Sequence, residues 1–421
     1  MLKRFLSDYG ILFALLALGV WFSWATLAEE PTSGVAGADA LAGEVNGPRV
    51  TVVAGTGREE EAFAAALKER LEKRGIEVTL ATGHPHEVRE KIKGATSLAL
   101  SARAARWELF QGSAAVSPKG RLWPSFLKAD NLLNIANQIA VVALIAVGLT
   151  FVIIAGGIDL SVGSLIALSA VVATLLIRGA AGAENAGAAG MILCSLAAIA
   201  VCAAAGLVSG AFITGFGLPP FVVTLAMMLV VGGAASILAE GQSIYQVPES
   251  FVRLGRGADL AGVPNAVLLM AALYVAGHLA MTRTIVGRYL YAVGGNPEAA
   301  RLSGVPVRRV LLLAYAASGA LAGLGGVVMA SQLKSGAPTY GQMYELYGIA
   351  AVVVGGTSLS GGEGKIFGTL IGAFLIAVIQ NGMNLTGVES YTQKVVLGAV
   401  ILGAVLLDRL KKRRWFKEKT S

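Results

Sequence analysis

Long apolar segments recur along most of the chain, with short polar stretches between them. About 20 apolar residues in a helix cross the hydrocarbon core of a bilayer, so these segments predict membrane-spanning helices. The ten predicted spans are residues 11–28, 131–155, 161–179, 188–212, 220–239, 263–282, 309–331, 346–359, 366–384 and 391–408. The segment at 346–359 is short for a full crossing, which favours a broken helix there. The pattern indicates an all-α polytopic membrane protein.

Residues 29–123 have a different pattern, in which short strand-like and helix-like segments alternate. Phe63, Leu67 and Leu71 recur every fourth residue, as on one face of a helix, and Gly75 follows as a stop signal. The predicted elements are a strand at 50–54, a helix at 59–74, a strand at 76–80, a helix at 85–93, a strand at 96–100 and a helix ending at Phe110. This order predicts a small parallel sheet. We therefore predict a small α/β module inserted between the first span, within residues 1–28, and a membrane core at 124–408.

The composition supports the membrane assignment. Of the 421 residues, 55% are hydrophobic and 14% are charged, whereas soluble domains carry about 25% charged residues. The 54 glycines suit helices that pack closely in lipid, because small residues let backbones approach. This composition excludes both an ordinary soluble domain and a disordered chain.

The charged residues are unevenly distributed. Residues 29–130 hold 14 acidic and 14 basic side chains, so the net charge of +8 lies in the remaining residues. Basic residues cluster at the N-terminus, in the loop 283–308 and in the tail 409–421. Because loops rich in Lys and Arg stay in the cytoplasm, we predict cytoplasmic termini and an extracytoplasmic α/β module. The basic tail fits an anchor at the anionic lipid of the inner leaflet.

The first apolar segment allows two interpretations. Lys3 and Arg4 precede it, and Thr26 and Ala28 near its end are small, so a cleaved signal peptide would have the same features. We favour an uncleaved span, because the ten spans that place both basic termini on the same side of the membrane include this segment.

Polar side chains within and between the apolar segments are candidates for a translocation path. Asp159 and Ser161 interrupt two spans, where a carboxylate is costly unless it faces a wet cavity or accepts hydrogen bonds. They are interpreted either as caps of the next helix or as part of the path. The amide side chains either bind solute hydroxyls or join helices. The candidate path residues are Asp159, Ser161, Asn134, Asn137, Gln138, Thr357, Ser358, Gln380, Asn381 and Asn384.

The basic loop at 283–308 contains a pattern typical of a short surface helix. Asn296 is placed as its cap, Pro297 as its first residue, and Glu298 complements the helix dipole, while Gly304 ends the helix. A short helix bounded on both sides has a suitable shape for docking a soluble partner. The alternative is an ordinary loop helix.

The chain lacks the patterns that ATP hydrolysis or other catalysis would need. Residues 359–363 resemble the signature of transporter ATPases, but no Walker A pattern accompanies them, so we interpret the match as a coincidence. His84 and His86 lack a third metal ligand, and Cys194 and Cys202 fit small buried hydrophobes. We predict a protein that is not an enzyme, with no cofactor, metal site or nucleic-acid partner.

Three separated motifs resemble one family. They are GGIDLSVGS at 156–164, GRYLYAVGGNPEAARLSGV at 287–305 and GIAAVVVGGTSLSGG at 348–362. In this order they are similar to the permease subunits of ribose-type ABC sugar importers, over roughly 124–407 and the first span. The resemblance implies an importer of a monosaccharide of the ribose, xylose or galactose class in the bacterial inner membrane. It implies a second permease copy (identical or a close paralogue), a cytoplasmic ABC ATPase that hydrolyses ATP, and an extracytoplasmic sugar-binding protein.

The resemblance also implies roles for the short helix in the basic loop. As a coupling helix it would be seated in the ATPase through Asn296, Glu298, Ala299, Ala300, Arg301 and Gly304. The alternative function is an ion-coupled secondary transporter or a channel without an ATPase. Such a transporter needs ionisable groups in the membrane, and Asp159 is nearly the only candidate.

The α/β module departs from the family pattern, in which the first span leads almost directly to the membrane core. We interpret the module as a decoration, with docking of a partner or a captive binding domain as alternatives. Gly55 and Gly57 lie between a strand and a helix, as in a phosphate-binding loop. However, Glu59, Glu60 and Glu61 begin that helix and would repel an anion, so a nucleotide site is not expected.

Overall fold

The computed structural model describes residues 2–95, 97–111 and 115–420. It separates into two compact units, one formed by Ser23–Leu127 and the other by the rest of the chain. We refer to them as the α/β unit and the helical unit.

The first helix, α1 (Leu2–Ala25), ends three residues before the end of the predicted span. Leu27 and Ala28 instead belong to strand β1 (Leu27–Pro31), which pairs antiparallel with β5 (Gly120–Pro124). In this ribbon Leu27 lies opposite Pro124, and Pro31 lies opposite Gly120. The ribbon therefore brings together the points where the chain enters and leaves the α/β unit.

A three-stranded parallel sheet forms the centre of the α/β unit. Strands β2 (Arg49–Ala54), β3 (Glu77–Thr82) and β4 (Leu98–Leu100) are arranged in the order β3-β2-β4. Helices α2 (Gly34–Ala42), α3 (Arg58–Lys73) and α4 (Pro85–Lys91) connect or flank them. Phe63, Leu67 and Leu71 of α3 are buried in the core, so the apolar face predicted for this helix is confirmed.

Two details of the α/β unit differ from expectation. The helix predicted to end at Phe110 is two short 3₁₀ turns, Ala104–Arg106 and Glu108–Phe110, because bonds close between residues three apart. The second difference is helix α2, which was not predicted because its sequence is mostly alanine and glycine. Thr96, the predicted start of the third strand, lies outside the described residues.

The helical unit contains the remaining helices. They are α5 (Ala129–Ile154), α6 (Val162–Ala180), α7 (Ala188–Phe216), α8 (Pro220–Leu238), α9 (Arg253–Arg256), α10 (Asn265–Arg283), α11 (Ile285–Gly295), α12 (Pro297–Leu302), α13 (Val307–Leu333), α14 (Tyr344–Val354), α15 (Ile366–Leu385) and α16 (Ser390–Thr420).

Seven helices of the described chain are long and apolar enough to cross a membrane. They are α5, α6, α7, α8, α10, α13 and α15. Helix α14 and residues Gly10–Ala25 of α1 are apolar but shorter, and α16 contains the tenth predicted segment. The count of ten spans therefore stays a prediction, while a multi-helix membrane architecture is clear.

Helix α13 packs against α5, α6 and α7 at the centre of the helical unit. Glycines allow this approach: a side chain at Gly319 would collide with the carbonyl of Cys202, and one at Gly206 would collide with that of Tyr315. A Cβ at Gly323 would lie 2.9 Å from Cα of Ile199. These contacts agree with the close helix packing that the glycine content predicts.

Candidate functional site

Asp159 lies in the connection between α5 and α6 and is 1% exposed. Its Oδ1 accepts hydrogen bonds from the backbone N–H of Ser161 at 3.0 Å and from the Ser161 hydroxyl at 2.6 Å. Its Oδ2 accepts one from the Ser318 hydroxyl on α13 at 2.7 Å. Ser161 is the N-cap residue of α6, but its side chain makes no capping bond. The carboxylate therefore ties the α5–α6 connection to α13 and does not cap α6.

The second polar break, after α14, folds into a tight glycine turn. Thr357 and Ser358 are both buried in it. The Ser358 N–H donates to the carbonyl of Glu363 at 3.0 Å, and the Ser360 N–H donates to the Ser358 hydroxyl at 3.2 Å. The left-handed φ of Gly361 and Gly362, +81° and +74°, requires glycine at these positions.

The three sequence motifs meet at a junction formed by Gly156, Gly294, Gly361 and Gly362. The Gly362 N–H donates to the carbonyl of Ile154, the last residue of α5, at 2.8 Å. A Cβ on Gly361 would lie 2.8 Å from the Gly294 carbonyl oxygen and 3.0 Å from Cα of Gly156. A Cβ on Gly294 would collide with the Ile154 carbonyl oxygen. The ends of α5 and α11 and the turn after α14 thus pack backbone against backbone, and we call this contact the glycine junction.

Helix α11 connects the glycine junction to the short surface helix, and its existence was not predicted. The Tyr291 hydroxyl on α11 donates to the Gly364 carbonyl at 2.7 Å. The Thr284 side chain caps its start by accepting from the Gly287 N–H at 3.3 Å. The predicted docking helix therefore continues from an ordered helix that is anchored to the spans.

Helix α12 confirms the helix predicted in the basic loop. Asn296 Oδ1 accepts hydrogen bonds from the N–H groups of Glu298 and Ala299, both at 3.0 Å. The Glu298 carboxylate pairs with Arg301 one turn later at 2.5 Å. Ala300 is buried, whereas Glu298, Ala299 and Arg301 are exposed. Gly304 has a φ of +81°, which ends the helix. The predicted coupling residues thus form one capped helix with an exposed charged face.

The six candidate amides separate into different environments. Asn381 on α15 exchanges two hydrogen bonds with Asn131 on α5, at 3.0 and 2.9 Å, so it joins helices. The Asn384 side chain accepts from Gln393 at 2.7 Å. Asn134 and Gln138 are exposed, and Gln380 is half-buried. Asn131 was missed, although it lies one turn before Asn134 and shares its helix face.

Two candidates carry buried polar atoms without a hydrogen-bond partner among the described residues. They are Oδ1 of Asn137 on α5 and Oγ1 of Thr357 in the turn after α14. Such atoms are rare in folded proteins because an unpaired buried polar group costs about 1–3 kcal/mol. They are the candidates best suited to exchange hydrogen bonds with a solute or water.

The α/β unit fills its own candidate phosphate loop with a carboxylate. Glu60 is buried, and its Oε2 accepts from the Gly55 N–H at 2.6 Å and from the Ser101 hydroxyl at 2.5 Å. The Glu60 carboxylate thus occupies the Gly55 N–H that a phosphate at this loop would use. The His84 N–H donates to Glu87 at 3.1 Å, which lowers the pKa of that carboxyl.

Comparison with known proteins covers the helical unit. Residues 131–405 match the family described as branched-chain amino acid transport system / permease component. The ribose import permease protein of Escherichia coli (strain K12) is 43% identical over 295 residues, which cover 69% of this chain and 89% of the relative. The ribose import permease protein of Bacillus subtilis (strain 168) is 44% identical over 291 residues, covering 68% and 87%.

A third relative is the D-allose transport system permease protein of Escherichia coli (strain K12), 36% identical over 292 residues that cover 69% of this chain and 87% of the relative. Solved structures yield no significant match to the chain. The family match begins at residue 131, after the α/β unit. On these matches, the three motifs and the seven apolar helices, the chain belongs to this permease family, as a multi-pass membrane permease of the ribose-type ABC sugar importers.

Proposed function

We propose that the chain forms the membrane path of an ATP-driven monosaccharide importer and takes its energy from a separate cytoplasmic ATPase docked on α12. The observation that carries the proposal is that α12 presents charged side chains outward while α11 and the glycine junction hold it to the spans. A movement of α12 would be transmitted to the ends of α5, α11 and α14. This is the geometry that coupling to an external motor requires.

The substrate class that we propose is supported by the names of the relatives, two of which are permeases for ribose and one for D-allose. Aldoses of five or six carbons carry several hydroxyl groups, and an amide offers both a donor and an acceptor to such groups. We propose that Asn137 and Thr357, whose polar atoms lack partners among the described residues, contribute to the path. Ser358 and the exposed amides Asn134 and Gln138 complete the proposed set on these elements. Asp159 and Ser161 do not contact the solute in this proposal but stabilise the path by linking the connection between α5 and α6 to α13.

The proposed complex contains two permease copies, the ATPase and an extracytoplasmic sugar-binding protein. The loop 283–308, which carries α12, holds four arginines against one glutamate, which favours the cytoplasm for that end of the spans. Both termini are then cytoplasmic, and the α/β unit is extracytoplasmic.

The complex can be tested by purifying the chain through a C-terminal tag from native membranes in mild detergent. We expect an ABC ATPase to co-purify in near-equal amount. The reconstituted complex should take up a labelled aldose only when ATP is present on the side of the membrane where the ATPase is docked. Reproducible isolation of the permease without an ATPase, with uptake driven by an ion gradient, would contradict the proposal. In that case Asp159 would be the group to titrate.

We propose further that the α/β unit is a separately folded decoration of the permease. Because Pro31 and Gly120 are paired, residues 32–119 can be replaced by an Asn-Gly turn that closes the ribbon as a two-residue hairpin. We expect this variant to insert, to retain the ATPase and to transport at the wild-type rate, measured by sugar uptake in vesicles. Lost uptake with the ATPase still bound would instead indicate that the unit docks the binding protein.

A further inference from the structure

An apolar cavity of about 230 Å³ lies between the ends of α5, α10 and α13 and the helix α11. Its lining contains no charged side chain. The residues that line it are Phe151, Ala280, Met281, Val286, Gly287, Leu290, Val310, Leu313, Ala314 and Ala317. None of the ten candidate path residues belongs to this set, so the cavity is separate from the proposed path.

The cavity lies at one end of the candidate spans. Ala280 and Met281 are in the last turn of α10, and Phe151 is in the last turn of α5. On α13 the lining ends at Ala317, ten residues after the helix begins, which is a depth of about 15 Å at 1.5 Å per residue. This is about half of a hydrocarbon core of roughly 30 Å. The cavity therefore occupies the depth of a single leaflet.

The cavity opens to the surface of the helical unit through apolar side chains. Val286 is 46% exposed and Leu313 is 56% exposed, although both line it. An enclosed apolar cavity of roughly 150 Å³ stays dry and binds benzene, so a larger apolar space beside the hydrocarbon core suits a hydrocarbon segment. An acyl chain fits this opening better than a polar solute does.

Two arginines lie one helical turn beyond the residues that line the cavity. Arg309 is one turn before Leu313 on α13, and Arg283 is three residues after Ala280 on α10, so each lies one turn beyond a lining residue on the same face. Both arginines are exposed. Neither forms an ion pair within the described part of the chain, in contrast to Arg301, which pairs with Glu298. The rim of the apolar cavity thus carries positive charge that has no protein counter-ion there.

We propose that this cavity binds an anionic glycerophospholipid. One acyl chain occupies the space between α5, α10, α11 and α13, and the phosphate lies against Arg283 and Arg309. The apolar lining selects the hydrocarbon, and the two arginines select the negative headgroup. The lipid would fill the contact between α11 and the spans, the same element that connects α12 to the glycine junction. The site is independent of the sugar and of the sugar path.

The test compares the full-length permease and its variants in nanodiscs that contain phosphatidylglycerol and phosphatidylcholine. Native mass spectrometry measures the lipid that stays bound to the released protein. We expect wild type to retain phosphatidylglycerol in preference to phosphatidylcholine. Ala317→Phe fills the cavity and should remove the retained lipid of both kinds, whereas Val275→Phe, at an exposed position of α10 outside the lining, should leave it unchanged.

The headgroup contact is tested with Arg283→Gln and Arg309→Gln. Each should reduce the preference for phosphatidylglycerol about fivefold while binding of phosphatidylcholine persists, since one basic side chain contributes about 1 kcal/mol near an anionic surface. Arg308→Gln is the matched control. It removes the neighbouring arginine of α13, which does not share a helix face with the residues that line the cavity, and it should retain the preference. Equal retention of the two lipids by wild type, or unchanged retention in Ala317→Phe, would overturn the proposal. Retention of no lipid, with the cavity protected from solvent only after the ATPase is added, would overturn it as well and would assign the surface to that partner.

Discussion

Replacing Gly294 with alanine is expected to remove most folded permease and all sugar uptake. The added Cβ would collide with the Ile154 carbonyl oxygen and lie 2.6 Å from the backbone nitrogen of Gly362. Both obstacles are backbone atoms, and they form the hydrogen bond that joins α5 to the glycine turn. Neither can rotate away as a side chain could, so the cost should reach about 3 kcal/mol or more. The measurement is the thermal unfolding midpoint of detergent-solubilised protein, together with uptake in vesicles.

Gly295→Ala is the matched control for Gly294→Ala. Gly295 is the next residue of α11, and a Cβ there has no heavy atom within 4 Å. Both substitutions make the same chemical change in the same helix, and alanine favours helix at either position. Gly295→Ala should therefore unfold at the wild-type temperature or slightly above it. Equal unfolding midpoints and equal uptake for the two variants would contradict the glycine junction as a structural requirement.

The long helices could be predicted because a bilayer imposes a minimum length of apolar sequence. Helix α8 spans Pro220–Leu238 against a prediction of 220–239, and α15 spans Ile366–Leu385 against 366–384. Helix α12 was predicted from local chemistry, since Asn296, Pro297 and Gly304 act within their own turns. In each case the determining interaction lies within a few residues of the element itself.

The contacts that define the site could not be predicted in the same way. One carboxylate oxygen of Asp159 accepts from nearby Ser161, but the other accepts from Ser318, which lies 159 residues away on α13. The same holds for the ribbon of β1 and β5, whose pairing depends on segments far apart in the chain. The sequence left the role of Asn381 open between solute binding and helix pairing, and the contact with Asn131 favours pairing. Helix α11 was missed because its eleven residues are too short for a span, although Thr284 before it is a residue type that caps helices.

Reversal of one charge on α12 should stop transport without unfolding the permease. Glu298 is exposed and pairs only with Arg301 within the described part of the chain, so Glu298→Lys loses an exposed ion pair worth about 0.3–0.5 kcal/mol. A lysine in the first turn also opposes the helix dipole, at a cost of a similar size. The unfolding midpoint should therefore change little. At a docked interface, however, a like charge opposed to its partner costs several kcal/mol.

We expect Glu298→Lys to weaken ATPase retention about a hundredfold or more and to abolish uptake. ATPase binding is measured by titrating purified ATPase into the reconstituted permease, and uptake is measured with a labelled aldose. Glu184→Lys makes the same change at an exposed glutamate between α6 and α7 and should transport normally.

The charge swap Glu298→Lys with Arg301→Glu separates docking from the stability of α12 itself. The swap restores an ion pair within the helix in the reversed order, so α12 should be no less stable than in Glu298→Lys. If α12 docks the ATPase through its charged face, the swapped variant stays inactive because the face presented to the partner is still reversed. Recovery of uptake in the swapped variant would show that transport depends on the ion pair within α12 and not on the charges that α12 presents to the ATPase. The coupling role would then have to be assigned to another surface of the loop.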